Sequence, residues 1–101
     1  MVGNKTATYL GFALRARKLT LGVNAIKALK GEVYLLVADS SASTNAQKEI
    51  MKLKARFSCP LTVVENLEDL TGKAFCKLAA VREENLARAV LGEAGETETF
   101  R

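Results

Sequence analysis

The amino-acid sequence predicts an α/β fold: a three-layer α/β/α sandwich, with a mixed four-stranded sheet and helices on both of its faces. Two observations support this prediction. Short apolar runs of strand length alternate with segments in which apolar residues recur at helical spacing. The chain has 101 residues, of which 49% are apolar, and this is enough for one domain with one core. The longest apolar run covers 33–38, far short of the roughly 18 residues that cross a bilayer.

The first part of the chain is predicted to hold three helices and two strands. We expect helices over 4–17, 23–30 and 44–57, and strands over 19–21 and 33–38. Gly22 and Gly31 are placed to open and close the second helix. The unbroken apolar run at 33–38 is typical of a strand buried on both faces. Ser43 is expected to cap the third helix at its N-terminus.

The second part continues the alternation. Strands are expected over 61–64 and 78–81, and helices over 67–76 and 83–91. The apolar periodicity stops after residue 91, where glutamate, glycine and threonine dominate. Residues 1–91 are therefore predicted to form a single RNA-binding α/β domain, and residues 92–101 an acidic, disordered tail.

Charge is distributed unevenly along the chain. Residues 1–60 carry ten basic and three acidic residues, for a net charge of +7, whereas residues 61–101 sum to −3. A basic body of this kind favours a polyanionic partner.

The residue types needed for common catalytic sites are missing. The sequence has no histidine, the usual acid–base group at neutral pH. Gly72-Lys73 lacks the earlier glycine and the following Ser or Thr of a phosphate-binding loop. Asp39 and Ser41 follow the best strand, where α/β sheets bind ligands, but the expected role of Asp39 and Ser43 is to satisfy loop and helix-end amides.

The two cysteines are expected to be small buried residues and not metal ligands, so neither a metal nor a cofactor is expected. With no apolar leader before Arg15, the expected compartment is the reducing cytoplasm.

A basic cluster before the second helix carries the most suggestive chemistry. Helix N-termini offer free backbone N–H groups that suit phosphate, and Gly22 allows a ligand to approach the backbone. Asn24 can pair with a base edge, and Lys27 lies three residues later on the same helix face. The basic residues before the glycine are Arg15, Arg17 and Lys18.

Over about four-fifths of its length the chain resembles a known family of ribosomal proteins. The matching stretches are 10–19, Gly22 with 27–30, 33–41, 44–45, 59–61, 70–74, 79–81 and 85–87. In order and spacing they are similar to the L-seven-Ae/L-thirty-e family, and in particular to its short bacterial YlxQ-type members.

The resemblance implies a protein that grips a kink-turn, a bent RNA duplex with G·A pairs next to a bulge. Carried over by position, the contacts to the G·A pairs would come from Gly22, Val23, Asn24 and Lys27, with Lys30 in reserve because the Asn-to-Lys step is one residue short. Arg15, Arg17 and Lys18 would contact phosphates. The loop before the last strand would add Lys77. That loop is shorter than in the family, and we expect it to lack the apolar wedge that meets the bulged nucleotide.

The sequence thus predicts a non-catalytic, monomeric, cytoplasmic and ribosome-associated protein that binds structured RNA, with ribosomal RNA as a candidate. No membrane and no small-molecule substrate is expected. Three alternatives remain open. One is a protein-interaction module whose basic face meets an acidic protein. Another is a recognition subunit for an RNA-modifying enzyme, and the third is a small phosphate-handling enzyme that uses Asp39 and Ser41.

Overall fold

The computed structural model describes residues 5–98 and 100, and it confirms the predicted alternation of helices and strands. The elements in chain order are α1 (Thr6–Arg15), β1 (Leu19–Leu21), α2 (Val23–Lys27), β2 (Leu35–Asp39), α3 (Thr44–Phe57), β3 (Leu61–Val64), α4 (Leu67–Thr71), β4 (Leu78–Val81) and α5 (Glu84–Ala94). Among the described residues, no helix is both long enough and apolar enough to cross a membrane.

The four strands form one mixed sheet in the order β1-β4-β2-β3. Strand β4 is antiparallel to both neighbours, with Leu21 opposite Ala79 and Ala38 opposite Leu78, while β2 and β3 are parallel. Strands β1, β2 and β3 therefore all finish at the same end of the sheet, where β4 begins. We call this the carboxyl end of the sheet and the other the amino end.

Helices cover both faces of the sheet, as the sequence predicts. One face packs against α1, α4 and α5, and the other against α2 and α3. Strand β2 is buried on both sides because Leu35 and Val37 point to the first layer and Leu36 and Ala38 to the second.

Both cysteines are buried and free, as expected, and they lie in different layers of the core. Burial raises the pKa of the Cys59 thiol to about 11, which leaves it protonated at neutral pH.

Three helices end earlier than the sequence predicts, and β2 covers Leu35–Asp39 and not 33–38. Helix α1 ends at Arg15 and not at residue 17, because Arg17 has a left-handed conformation with φ +60°.

Helix α2 ends at Lys27, where the guanidinium of Arg56 on α3 donates to the carbonyl oxygens of Lys27 (2.8 Å) and Leu29 (2.6 Å). Helix α4 ends at Thr71 and not at residue 76, because Gly72 adopts a left-handed conformation with φ +77°. The segment 72–77 is consequently a loop.

The segment after residue 91 is more ordered than the sequence predicts. Helix α5 runs to Ala94, and the chain then follows β3 at the edge of the sheet. The amide of Thr97 donates to Leu61 O (2.7 Å), and its hydroxyl accepts from Val63 N (3.1 Å). An edge strand leaves backbone groups unpaired, and these bonds occupy some of them. Residues 99 and 101 of the predicted tail lie outside the described residues.

Candidate nucleic-acid interface

Two loops meet at the carboxyl end of the sheet. The amide of Gly22, between β1 and α2, donates to Leu78 O at 2.8 Å. The amide of Asp39, at the end of β2, donates to Lys77 O at 2.9 Å. Because β4 lies between β1 and β2, the loop 72–77 that leads into β4 is adjacent to both of their ends.

Gly22 has a backbone conformation that suits glycine. Its φ is +96° and its ψ is 142°, a region that other residues rarely adopt. A Cβ at this position would lie 4.0 Å from Cε of Lys73. The Lys73 side chain therefore lies against the turn that opens α2, a proximity that the sequence analysis did not predict.

Loop 72–77 presents an aromatic ring to solvent. Phe75 is 83% exposed and has φ +59°, an uncommon conformation for a residue other than glycine. Its amide donates to Oε2 of Glu68 at 2.7 Å, and the next residue, Cys76, is buried. That this short loop lacks the apolar wedge for a bulged nucleotide stays a prediction, and Phe75 is the exposed apolar side chain that the loop carries. The exposure of Phe75 could have been predicted from Gly72, because a glycine that ends α4 leaves Phe75 outside any helix.

Asp39 holds the surrounding loops together. Its Oδ1 accepts from Leu67 N at 2.8 Å, and its Oδ2 accepts from both the amide (2.9 Å) and the hydroxyl of Ser41. The ammonium of Lys77 lies 3.8 Å from the same carboxylate and donates to Ser41 Oγ at 2.8 Å. One buried carboxylate thus joins the loop after β2, the first residue of α4 and the last residue of the loop before β4.

The pKa of Asp39 is set by opposing effects. Burial alone would raise it, but the hydrogen bonds from Ser41 and Leu67 N, together with the charge of Lys77, lower it below its ordinary value. The side chain of Asp39 is therefore ionised at neutral pH. Lys77 Nζ donates to Ser41 Oγ, and the Ser41 hydroxyl donates in turn to Oδ2 of Asp39.

The structure brings together part of the predicted site. Gly22 and Lys77 lie at the carboxyl end of the sheet, and exposed Asn24 lies in the first turn of α2 beside them. Val23 is half-buried and packs on the α2–α3 side of the core.

Two of the predicted lysines, Lys27 and Lys30, have surroundings different from those of Lys77. The ammonium of Lys27 lies 3.0 Å from Oε1 of Glu49 on α3 and is turned toward that helix. Lys30 is exposed in the turn that follows α2.

The predicted phosphate-binding cluster lies at the other end of β1. Arg17 and Lys18 precede this strand, and their carbonyl oxygens accept hydrogen bonds from Arg82 at 2.6 and 2.7 Å. Arg15 stacks over the ring of Phe12, 5.2 Å from its centroid. The four-residue step from Lys18 to Gly22 corresponds to about 13 Å of extended chain. Arg15, Arg17 and Lys18 are therefore separated from the Gly22 turn.

Groups suited to metal binding are missing from this part of the protein. In residues 5–98 and 100, no three His, Cys, Asp or Glu side chains are grouped so that they could hold a metal ion. The carboxyl end of the sheet offers two ammonium groups, an amide side chain and an exposed aromatic ring, beside the carboxylates of Asp39, Glu68 and Asp69.

Comparisons with known proteins bear on the fold. Neither a protein-family model nor a curated protein matches the chain. A solved structure of a protein of unknown function from Bacillus halodurans is similar, with a TM-score of 0.75 and 26% sequence identity. The match covers 90% of this chain and 97% of that one. The chain therefore shares its α/β architecture, over nearly its whole length, with a natural protein of the same size.

Proposed function

We propose that this protein is a non-catalytic RNA-binding protein that recognises a kink-turn or a similar G·A-containing internal loop. The observation that carries the proposal is that the turn bearing Gly22 and Asn24 and the loop bearing Lys73, Phe75 and Lys77 meet at the carboxyl end of the sheet, where Lys73 lies against Gly22. The resemblance described above supports it independently.

Three of these groups each suit one part of an irregular RNA. The ammonium of Lys73 suits a phosphate, whereas that of Lys77 lies 3.8 Å from Asp39 and positions the loop. The side-chain amide of Asn24 can donate to and accept from a base edge. The ring of Phe75 offers a face on which an unpaired base can stack.

The exposed ring favours an irregular RNA over a regular duplex. In an A-form helix the bases are stacked on each other and the deep groove is closed to side chains. A bulged nucleotide has a free face, and stacking on Phe75 would take two apolar surfaces out of water. The side chain thus selects for RNA in which a base is already unstacked.

In this proposal side chains contribute more than the helix N-terminus does. Helix α2 has only five residues, so its dipole is small. Arg15, Arg17 and Lys18 lie at the amino end of the sheet and act at most on more distant phosphates of the same RNA.

The two exposed phenylalanines allow a matched test. Phe75→Ala should weaken binding to a short kink-turn RNA by about 1–3 kcal/mol, the value of one base–aromatic stack. Phe12→Ala removes a ring that is 45% exposed on α1, outside loop 72–77, and should leave the affinity unchanged. Both affinities are measured by calorimetric titration at the same salt concentration. Equal effects of the two variants would refute the assigned site.

Lysine variants test the same site through salt dependence. Lys73→Ala should weaken binding and reduce the slope of log affinity against log salt by about one phosphate contact. Lys18→Ala serves as the control of equal charge at the amino end of the sheet. A larger loss from Lys18→Ala would move the phosphate contacts to the other end of the molecule.

A further inference from the structure

A groove runs along the outer side of α3, from the first turn of this helix, which follows β2, toward the helix C-terminus. Its volume is about 660 Å³, and it extends along α3 from Thr44 to Ala55. Phe100, which packs against the α2–α3 side of the core, forms the opposite wall. The proposed RNA contacts lie on other elements, so the RNA-binding hypothesis leaves this groove unexplained.

The apolar floor of the groove, Met51 and Ala55, belongs to a helical stripe on α3. Thr44, Lys48, Met51 and Ala55 succeed each other at steps of four, three and four residues, which places them on one face of α3. The stripe covers 12 residues, 44–55, and is about 16 Å long. Met51 is flexible and polarisable, and methionine is common on surfaces that accept a partner's apolar side chains.

Positive charge borders the apolar floor. Lys48 has no carboxylate partner among the described residues, and the side chain of Lys52 is 76% exposed, with its ammonium 3.7 Å from Glu49. The α2–α3 layer around the groove also carries an excess of positive charge. Over 23–31 and 44–58 there is one acidic residue, Glu49, against six basic residues: Lys27, Lys30, Lys48, Lys52, Lys54 and Arg56.

We propose that the groove binds an acidic, amphipathic helical segment of a partner protein. Such a segment would lay apolar side chains on Met51, Ala55 and Phe100 and direct carboxylates to the ammonium groups of Lys48 and Lys52. An amphipathic helix that presents apolar anchors at i, i+3 or i+4 and i+7 is a common occupant of grooves of this length. Nucleic acid fits less well, because a backbone that followed the lysines would place phosphates over an apolar floor.

The test uses the full-length, ¹⁵N-labelled protein and a designed peptide of about 12 residues, or about three helical turns. The peptide carries leucine along one helix face and glutamate elsewhere. A control peptide of the same composition has its leucines distributed around the helix. We expect saturable changes in amide chemical shift confined to 44–55 and Phe100 with the first peptide, and at least about tenfold weaker binding of the second.

Variants separate groove binding from simple charge attraction. Lys52→Glu should weaken peptide binding by about tenfold or more, as should Met51→Asp. Lys30→Glu makes the same charge change on the same helix layer outside the groove, and its effect should be several times smaller. Because Lys52 is mostly solvent-exposed, Lys52→Glu keeps the test valid even if Met51→Asp disturbs the fold.

Three results would overturn the proposal: no binding of the amphipathic peptide, equal binding of both peptides, or equal losses from Lys52→Glu and Lys30→Glu. So would a titration in which a plain RNA duplex, and not the peptide, shifts the amides of 44–55, since the groove would then be a nucleic-acid surface. Kink-turn binding by Lys52→Glu is measured in parallel and should be unchanged. Failure of the RNA hypothesis is thereby distinguished from failure of this one.

Discussion

Two single residues determine the shape of the carboxyl end of the sheet. Gly22 supplies a backbone turn with φ +96° that brings α2 next to loop 72–77. Asp39 is a buried carboxylate to which Leu67 N, Ser41 and Lys77 are attached. Both residues position side chains of the proposed RNA-binding site, so their replacement would affect binding even without a direct ligand contact.

Gly22→Ala should destabilise the fold by about 1–3 kcal/mol, because a residue with a Cβ is strained in this part of φ/ψ space. The added Cβ would meet Lys73 only at ordinary contact distance, so backbone strain and not collision is the cause. Urea unfolding of the wild type and the variant measures the difference.

Gly92→Ala is the matched control for that change. Gly92 lies inside α5 with open space around it, and alanine favours helix over glycine by up to about 1 kcal/mol. The free energy of unfolding of Gly92→Ala should therefore equal or exceed that of the wild type. A loss of stability in Gly92→Ala as large as that in Gly22→Ala would contradict the assignment of strain to the Gly22 turn.

Asp39→Asn should reduce stability at neutral pH by about 1–3 kcal/mol, because it removes a charged acceptor of buried hydrogen bonds. The pKa of Asp39 is lower in the folded protein than its ordinary value. Its contribution is therefore complete above the unfolded-state pKa and is lost as pH falls through the lower folded-state pKa. The stability gap between wild type and Asp39→Asn should narrow below about pH 4. Unfolding free energies measured across the acid range test this, and a gap that stays constant into strong acid would count against it.

At the scale of elements, the sequence predicted those parts of the fold that follow from local pattern. Helix α3 and strands β1, β3 and β4 have the predicted bounds because apolar spacing and flanking Ser43 or Pro60 define them. The ends of α2 and α4 were wrong for two reasons. The end of α2 depends on Arg56, a residue 29 positions after Lys27. The end of α4 depends on the left-handed conformation of Gly72, which the prediction of a helix over 67–76 did not take into account.

Ser43→Ala tests the predicted cap of α3. The hydroxyl of Ser43 accepts a hydrogen bond from Ala46 N at 3.1 Å, so its loss should cost about 0.5–2 kcal/mol of stability. Ser43→Asp retains an acceptor and should remain close to the wild type. Thermal unfolding of the three proteins provides the comparison, and a normal stability for Ser43→Ala would show that the bond contributes nothing.

At the scale of the whole molecule, topology decided which predicted site residues meet. Arg15, Arg17 and Lys18 are close to Gly22 along the chain and were predicted to share its site, but β1 separates them to opposite ends of the sheet. Lys77 was grouped with Gly22 through the family resemblance, and the antiparallel pairing of β1 with β4 places it there. Lys73 and Phe75 could not be assigned from spacing alone, since their positions depend on where α4 ends.

Charge is also arranged at this scale. The chain has a net charge of +4, and the basic surplus is concentrated on the α2–α3 layer. Total charge therefore does not identify the proposed RNA-binding surface, because a non-specific polyanion would be drawn to α3. In the proposed function, specific recognition comes from Asn24 and Phe75, whose side chains are uncharged.

Specificity for the kinked RNA is accordingly the property to measure first. The titration compares a short kink-turn RNA with the same RNA in which Watson–Crick pairs replace the G·A pairs, at about 0.15 M salt, where exposed charges are strongly screened. If the protein recognises the kink-turn, the kink-turn RNA should bind at least about tenfold more tightly than the Watson–Crick control. Equal binding of the two RNAs, or binding of neither, would contradict it.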